Sequence, residues 1–100
     1  MFGLFKSKKN ETIKKYLEEG AQLVDVRSAS EFNNGHIEGS HNIPFQTIDQ
    51  KMKELDKNKP VIVYCAMGGR SNVAASKLKS NGFKVVNAMG IGTVKKHLKS

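Results

Sequence analysis

The sequence has one cysteine, no tryptophan and no acidic residue after Asp56. A single cysteine cannot form an intramolecular disulfide, so nothing points to an oxidising compartment and we expect a cytoplasmic protein. No apolar run approaches the roughly 20 residues that a membrane-spanning helix needs, which argues against a membrane span. Any second thiol that takes part in a reaction of this chain would have to come from another molecule.

The length and composition fit one small globular domain. One hundred residues leave no room for a second module, and 38% hydrophobic with 26% charged residues is ordinary for a folded domain. Residues 1–10 place apolar side chains before lysines, the reverse of an export signal, so we expect a loose or weakly packed segment there. The predicted domain covers residues 11–100.

The charge is unevenly distributed along the chain. Residues 57–100 contain nine Lys and Arg and no Asp or Glu, whereas residues 1–56 contain eight basic and nine acidic side chains. A positive electrostatic field favours the binding of anionic substrates and the ionisation of a thiol. A basic surface that only faces solvent would explain the same numbers of charged residues. We expect no nucleic-acid binding, because this half lacks interleaved aromatic residues and a base-reading helix.

Strand-like and helix-like stretches alternate along the chain. The predicted strands are residues 22–26, 42–45, 61–65 and 83–87, and helical patterns precede, separate and follow them. Gly90 and Gly92 are expected to break the chain before a last basic helix. The order α-β-α-β-α-β-α-β-α predicts a parallel sheet covered by helices.

Helix starts are suggested by capping residues. Asn10 is the expected cap of the first helix, and Ser28 with Glu31 forms a capping-box pattern. Thr47 with Gln50 suggests a second capping box.

Cys65 lies where the most buried-looking strand meets a glycine-containing loop. A helical pattern begins at Ser71, so the thiol is expected near a helix N-terminus, whose free N–H groups stabilise a thiolate. Arg70 adds a permanent positive charge, and low-pKa cysteines occur beside such groups. The alternative is a small buried residue without chemistry, but the loop composition favours a reactive thiol.

Two further features of the sequence are site candidates. Arg27 follows the strand 22–26, at the edge where parallel sheets assemble sites, and a structural ion pair is the equal alternative. His36 and His41 are five residues apart with no third ligand nearby, so we expect no metal site and a packed, hydrogen-bonded His36. No cofactor is predicted.

Five motifs in order resemble the single-domain rhodaneses: Val24-Asp25-Val26-Arg27, Glu31-Phe32, Gly35-His36-Ile37, Asn42-Ile43-Pro44 and Cys65-x4-Arg70-Ser71. The resemblance runs from about residue 12 to residue 92. It implies a small three-layer α/β domain with a mainly parallel sheet of four to five strands flanked by helices. It also implies that Cys65 is the nucleophile that carries sulfur.

The implied activity is transfer of a sulfane sulfur from a donor such as thiosulfate to cyanide or a thiol, through a persulfide on Cys65. A persulfide-donating or persulfide-accepting protein is a further candidate partner. Arg70 and Arg27 would bind the anionic donor or steady the loop. The loop that cradles the sulfur would consist of Ala66, Met67, Gly68, Gly69, Arg70 and Ser71.

Two other functions remain open on the sequence. A cysteine phosphatase or arsenate reductase has five residues between cysteine and arginine, and the four found here favour sulfur over a larger oxyanion. A non-catalytic binding module stays open because Met89-Gly90-Ile91 replaces the two adjacent glycines usual in rhodaneses. Met67 is apolar where some relatives carry charge, which leaves the preference for thiosulfate over a larger or protein-bound persulfide open.

Overall fold

A computed structural model describes residues 7–99. Helices and strands alternate in the predicted order. The helices are α1 Lys8–Glu18, α2 Ala29–Asn33, α3 Ile48–Lys51, α4 Gly69–Ser80 and α5 Ile91–Lys99, and the strands are β1 Gln22–Asp25, β2 His41–Asn42, β3 Val61–Cys65 and β4 Val85–Gly90. Two 3₁₀ turns, Phe45–Thr47 and Met52–Glu54, flank α3.

The four strands form one parallel sheet in the order β2-β1-β3-β4. Every residue of β3 is buried, as expected for a strand covered on both faces. Val61, Val63 and Cys65 pack in one core cluster with residues of α3 and α4, whereas Ile62 and Tyr64 pack in a second with residues of α1 and α5. The predicted three-layer α/β architecture is confirmed, with four strands.

The carboxyl ends of β1, β3 and β4 meet at one edge of the sheet. Val26 donates its N–H to the carbonyl of Tyr64, which places Arg27 beside the end of β3. On the other side, Cys65 is in register with Gly90. Arg27, Cys65 and the end of β4 therefore lie together.

The predicted cap of α2 is confirmed, and the predicted cap of α1 is wrong. The capping box of Ser28 and Glu31 is present, with the Ser28 hydroxyl accepting from the Glu31 N–H. The prediction of Asn10 as the first cap is wrong, because Ser7 caps α1 and its hydroxyl accepts from the Asn10 N–H. Both residues are good caps, and α1 simply begins one turn earlier.

The predicted capping box of Thr47 and Gln50 is absent. Thr47 precedes α3, but its hydroxyl donates to the carbonyl of Pro44 at 2.8 Å and makes no cap hydrogen bond. The 3₁₀ turn that brings the chain into α3 offers this nearer acceptor. The predicted inward face is confirmed, since Ile48, Met52 and Leu55 are buried.

The last strand and helix differ from the prediction. β4 runs to Gly90, three residues beyond the predicted end, and Gly92 lies inside α5 instead of breaking the chain. Gly92 is the second residue of α5, so it does not carry the full cost of about 1 kcal/mol of a glycine in a helix interior, and Val94 of the same helix is buried in the core. α4 ends as predicted, with Gly82 at φ +90° in a left-handed cap.

Among residues 7–99, no helix is both long and apolar enough to cross a membrane. The apolar residues of the predicted N-terminal segment, Phe2, Leu4 and Phe5, lie outside the described residues, and α1 already begins at Lys8. The domain boundary at residue 11 stays a prediction.

Candidate active site

The loop after β3 wraps around the sulfur of Cys65. The backbone N–H of Gly68 donates to Sγ at 2.9 Å, and Cys65 itself is 1% exposed. α4 begins at Gly69, two residues before the predicted start, because Gly68 already supplies the turn into the helix. The thiol thus sits between a strand end and a helix N-terminus, as predicted.

Gly68 holds a conformation that other residues rarely adopt. Its φ is +118°, and a Cβ built there would lie 2.6 Å from Cε of Met89. A bulge in β4 and a φ of 72° at Met89 bring that side chain against the loop, with the Met89 N–H donating to Asn87 Oδ1. Gly90 is equally confined, because its added Cβ would meet the Ala66 carbonyl oxygen at 2.9 Å. The end of β4 therefore forms a wall against which the loop is shaped.

Ser71 supplies a hydroxyl beside the sulfur. Its side chain is fully buried, and Oγ lies 3.5 Å from Cys65 Sγ. The hydroxyl donates to the Gly68 carbonyl at 3.1 Å, with the Met89 carbonyl at 3.4 Å as a second acceptor. Ser71 thus links the first turn of α4 to the sulfur, the loop and β4.

The loop lowers the pKa of the Cys65 thiol below its ordinary value. Burial is the largest influence and raises the pKa, because it disfavours the charged thiolate. The Ser71 hydroxyl and the N–H groups of Ser71, Gly68 and Met67 act in the opposite direction and together outweigh it. The site is therefore built to hold negative charge on sulfur by hydrogen bonds.

Arg70 does not stand free in the loop. Its two terminal nitrogens donate to the carboxylate of Glu31, Nη1 to Oε1 at 2.6 Å and Nη2 to Oε2 at 3.0 Å. The hydrogen bond to Arg70 is the main reason that the pKa of Glu31 falls to about 2. Both side chains are about one third exposed, so the pair lies at the rim of the site.

Arg27 lies at the same edge but is directed into the protein. Its guanidinium donates to both oxygens of Asp25, which is fully buried, and to the Gly35 carbonyl at 2.8 Å. Hydrogen bonding to Asp25 raises the pKa of Arg27, with burial opposing it. The structure thus brings Arg27 to the edge of the site in a buried ion pair with Asp25, which is the structural alternative that the sequence also allows.

The remaining loop residues face solvent. Met67 is 89% exposed, and Ala66 and Gly69 are exposed as well. Met67 therefore presents an apolar side chain at the tip of the loop that surrounds the sulfur.

His36 stacks on Phe32 with ring centroids 3.9 Å apart, and its Nδ1 lies 2.9 Å from the Phe32 carbonyl oxygen. His36 is hydrogen-bonded as predicted, but it is exposed. Within residues 7–99, no three His, Cys, Asp or Glu side chains cluster in a way that could hold a metal ion.

The family model of the rhodanese-like domain matches residues 9–91 of this chain. The protein belongs to the rhodanese-like family. Among solved structures, a rhodanese-related protein from Thermoplasma volcanium is 29% identical, with a TM-score of 0.73 over 92% of both chains. A rhodanese with anions from E. coli is 32% identical, with a TM-score of 0.67 over 73% of this chain and 89% of its own.

Three curated relatives match between 62% and 74% of this chain. An uncharacterized protein of Bacillus subtilis, YqhL, is 47% identical over 62% of this chain, and a putative sulfur carrier protein, YrkF, is 35% identical over 69%. The chain spans 49% and 37% of their respective lengths. The thiosulfate sulfurtransferase GlpE of Shewanella oneidensis is 34% identical over 74% of this chain and 73% of its own length.

Two contributors to this rhodanese-like site were not assigned from the sequence. From the sequence, Glu31 is expected to be a helix-capping residue and part of the Glu31-Phe32 motif, with no role beside Cys65, yet it also holds Arg70 from 39 positions away. Met89 was noted only as part of a motif that departs from the family, yet it packs against Gly68. No local pattern identifies either contact, because both depend on how α2 and β4 meet the loop.

Proposed function

We propose that this protein is a sulfurtransferase that carries a sulfane sulfur as a persulfide on Cys65. One observation carries the proposal: the Cys65 sulfur accepts the Gly68 N–H at 2.9 Å in a loop that lowers the pKa of the thiol. A thiolate is the form that attacks sulfur, so a site that favours it serves this chemistry.

In the first half-reaction the Cys65 thiolate attacks the outer sulfur of thiosulfate. The bond between Sγ and that sulfur forms, the sulfur–sulfur bond of thiosulfate breaks, and sulfite leaves with the electron pair. The loop N–H groups, with Gly68 the nearest, then hold the negative charge of the persulfide.

In the second half-reaction an acceptor collects the outer sulfur. Cyanide attacks it, the persulfide bond breaks towards Sγ, and thiocyanate leaves while the Cys65 thiolate is restored. A thiol acceptor takes the sulfur in the same way and leaves as a persulfide. Because the donor and acceptor react in turn, the kinetics should be ping-pong.

Two features favour sulfur over a phosphate ester as substrate. Four residues separate Cys65 from Arg70, one fewer than in the phosphatase loops. Moreover, the pairing with Glu31 occupies one N–H of each terminal nitrogen of Arg70 and neutralises its charge, which weakens its attraction for a phosphate.

The likeness to relatives called thiosulfate sulfurtransferase and putative sulfur carrier protein is consistent with this activity. By analogy, the partners are a small sulfane donor, a thiol or cyanide acceptor, and a protein that gives or takes a persulfide. Because the lone thiol must remain reduced, we infer a reducing compartment such as the cytoplasm.

The test is to incubate the protein with thiosulfate, record its intact mass, and then measure thiocyanate after adding cyanide. We expect the wild type to gain one sulfur atom and release it, and Cys65→Ser to do neither. An unloaded wild type, or equal turnover by Cys65→Ser, would contradict the proposal. An aryl phosphate tested in parallel identifies a phosphatase, and inertness towards both substrates identifies a binding module.

A further inference from the structure

The two arginines that flank Cys65 are both bound to carboxylates. Arg27 is held by the buried Asp25, and Arg70 is held by Glu31 through two hydrogen bonds. Each pairing cancels a positive charge that a sulfur donor with two negative charges would otherwise meet.

Glu31 is fixed in place from a second side. Its Oε1 accepts the backbone N–H of Ser28 at 3.1 Å and the Ser28 hydroxyl at 3.0 Å, in the capping box of α2. The carboxylate therefore stays beside Arg70 without depending on that contact alone. Because its pKa is about 2, the Glu31 carboxylate is negatively charged at neutral pH.

Arg70 is within electrostatic reach of the reacting sulfur. Its pKa is raised chiefly by Glu31, and the negative charge of Cys65 contributes in the same direction. Whatever neutralises Arg70 therefore also changes the field at Cys65. The loop that surrounds the sulfur also carries the apolar side chain of Met67, which is 89% exposed.

We propose that Glu31, by neutralising Arg70, makes this site select sulfane donors that carry a single negative charge and an organic group over the dianion thiosulfate. The proposal rests on the sulfur transfer proposed for Cys65 and specifies its substrate class. Met67 would contact the organic group of such a donor, whereas thiosulfate has no apolar group to place there.

Thiosulfate and methanethiosulfonate form a matched pair of donors that tests the effect of the donor's charge. Methanethiosulfonate has the sulfonyl group of thiosulfate with a methyl group in place of one charged oxygen. The Cys65 thiolate attacks the outer sulfur of either donor, the new sulfur–sulfur bond forms, and the old bond breaks. Methanesulfinate or sulfite leaves with the electron pair, and the same persulfide results.

The experiment compares kcat/KM for the two donors, with cyanide as the acceptor, in the wild type, Glu31→Gln, Glu31→Asp and Glu38→Gln. Glutamine can still accept from Ser28, so α2 keeps its cap while Arg70 loses its counter-charge. Glu38 is exposed on the loop after α2, so Glu38→Gln makes the same change in net charge away from Arg70.

We expect the wild type to favour methanethiosulfonate. Glu31→Gln should raise the thiosulfate to methanethiosulfonate ratio of kcat/KM by roughly three- to tenfold, mainly through a lower KM for thiosulfate, because the charge of a cation that is one third exposed is no longer neutralised. Glu38→Gln should leave the ratio near that of the wild type. Glu31→Asp keeps the negative charge and should restore most of the wild-type preference.

Three other results would contradict the proposal, and each points to a different error. An unchanged ratio in Glu31→Gln, or equal losses with both donors, would assign Glu31 a structural role alone. A wild type that prefers thiosulfate would refute the substrate class while leaving sulfur transfer intact. Failure of the wild type to form a persulfide with either donor would refute the proposed function, and this proposal with it.

Discussion

Replacing Ser71 with alanine tests whether hydrogen bonds in the loop set the ionisation of Cys65. In the thiol form, Cys65 donates to Ser71 Oγ at 3.5 Å, and the Ser71 hydroxyl donates to the Gly68 carbonyl at 3.1 Å. When the thiol ionises, the hydroxyl can turn to donate to the sulfur, but it then gives up the carbonyl. Ser71 therefore stabilises the thiolate by the difference between two hydrogen bonds.

The size of the effect follows from that difference. A hydrogen bond to a charged group contributes about 1.5–3 kcal/mol, and the neutral bond given up contributes about 1 kcal/mol. A net loss of about 1 kcal/mol would raise the pKa of the thiol and reduce the thiolate population about fivefold at a pH below that pKa. Nucleophilicity increases with pKa, so the alkylation rate should fall only about two- to threefold there.

The assay follows the ultraviolet absorbance of the thiolate and the rate of alkylation by iodoacetamide across pH. We expect Ser71→Ala to react more slowly than the wild type at low pH and to match or exceed it once both thiols are ionised. Ser76→Ala is the matched control, because Ser76 is exposed on the same helix. An unchanged titration, or an equal loss of rate at every pH, would refute the role assigned to Ser71.

Three further substitutions test the supports of the site. Gly68→Ala should destabilise the fold by about 1–3 kcal/mol and reduce sulfur loading, because an alanine is strained at a φ of +118° and must displace the end of the Met89 side chain. Gly69→Ala should change stability by less than about 0.5 kcal/mol, and similar urea midpoints for the two variants would contradict this. Asp25→Asn should cost about 3 kcal/mol in urea unfolding by leaving the Arg27 charge buried without its partner, and a loss below about 1 kcal/mol would contradict that role. Because folding lowers the pKa of Glu31 from 4.5 to about 2, its stabilisation is complete above pH 4.5 and is lost as the pH falls through 2. The stability difference between wild type and Glu31→Gln should therefore shrink over that range, and a constant difference would argue against the pairing.

The elements that could be predicted from the sequence are those with local causes. The strand ending at Cys65 is a run of apolar β-branched residues, and the helix after it shows its own periodicity, so their junction was predicted. The capping box of Ser28 and Glu31 was found for the same reason, since its parts lie three residues apart. The parallel sheet follows from alternation of the elements alone.

The features that were missed depend on contacts between distant segments. The charge of Arg70 is evident from the sequence, but the partner of its side chain is not. Glu31 reaches Arg70 only because α2 packs beside the loop. Thr47 has a capping pattern, yet the turn before α3 offers its hydroxyl a closer acceptor in Pro44. Met89 reaches Gly68 because β4 contains a bulge. A bulge depends on how β4 pairs with β3, and the sequence of β4 alone does not determine that pairing.

The most direct test of sulfur transfer is the mass of Cys65 itself after exposure to a sulfane donor. Peptide mapping of protein treated with methanethiosulfonate or thiosulfate should locate one extra sulfur atom on the peptide that contains Cys65. Cyanide should remove that sulfur and restore the original mass. An unmodified Cys65 after both donors, or a sulfur that cyanide cannot remove, would contradict the account.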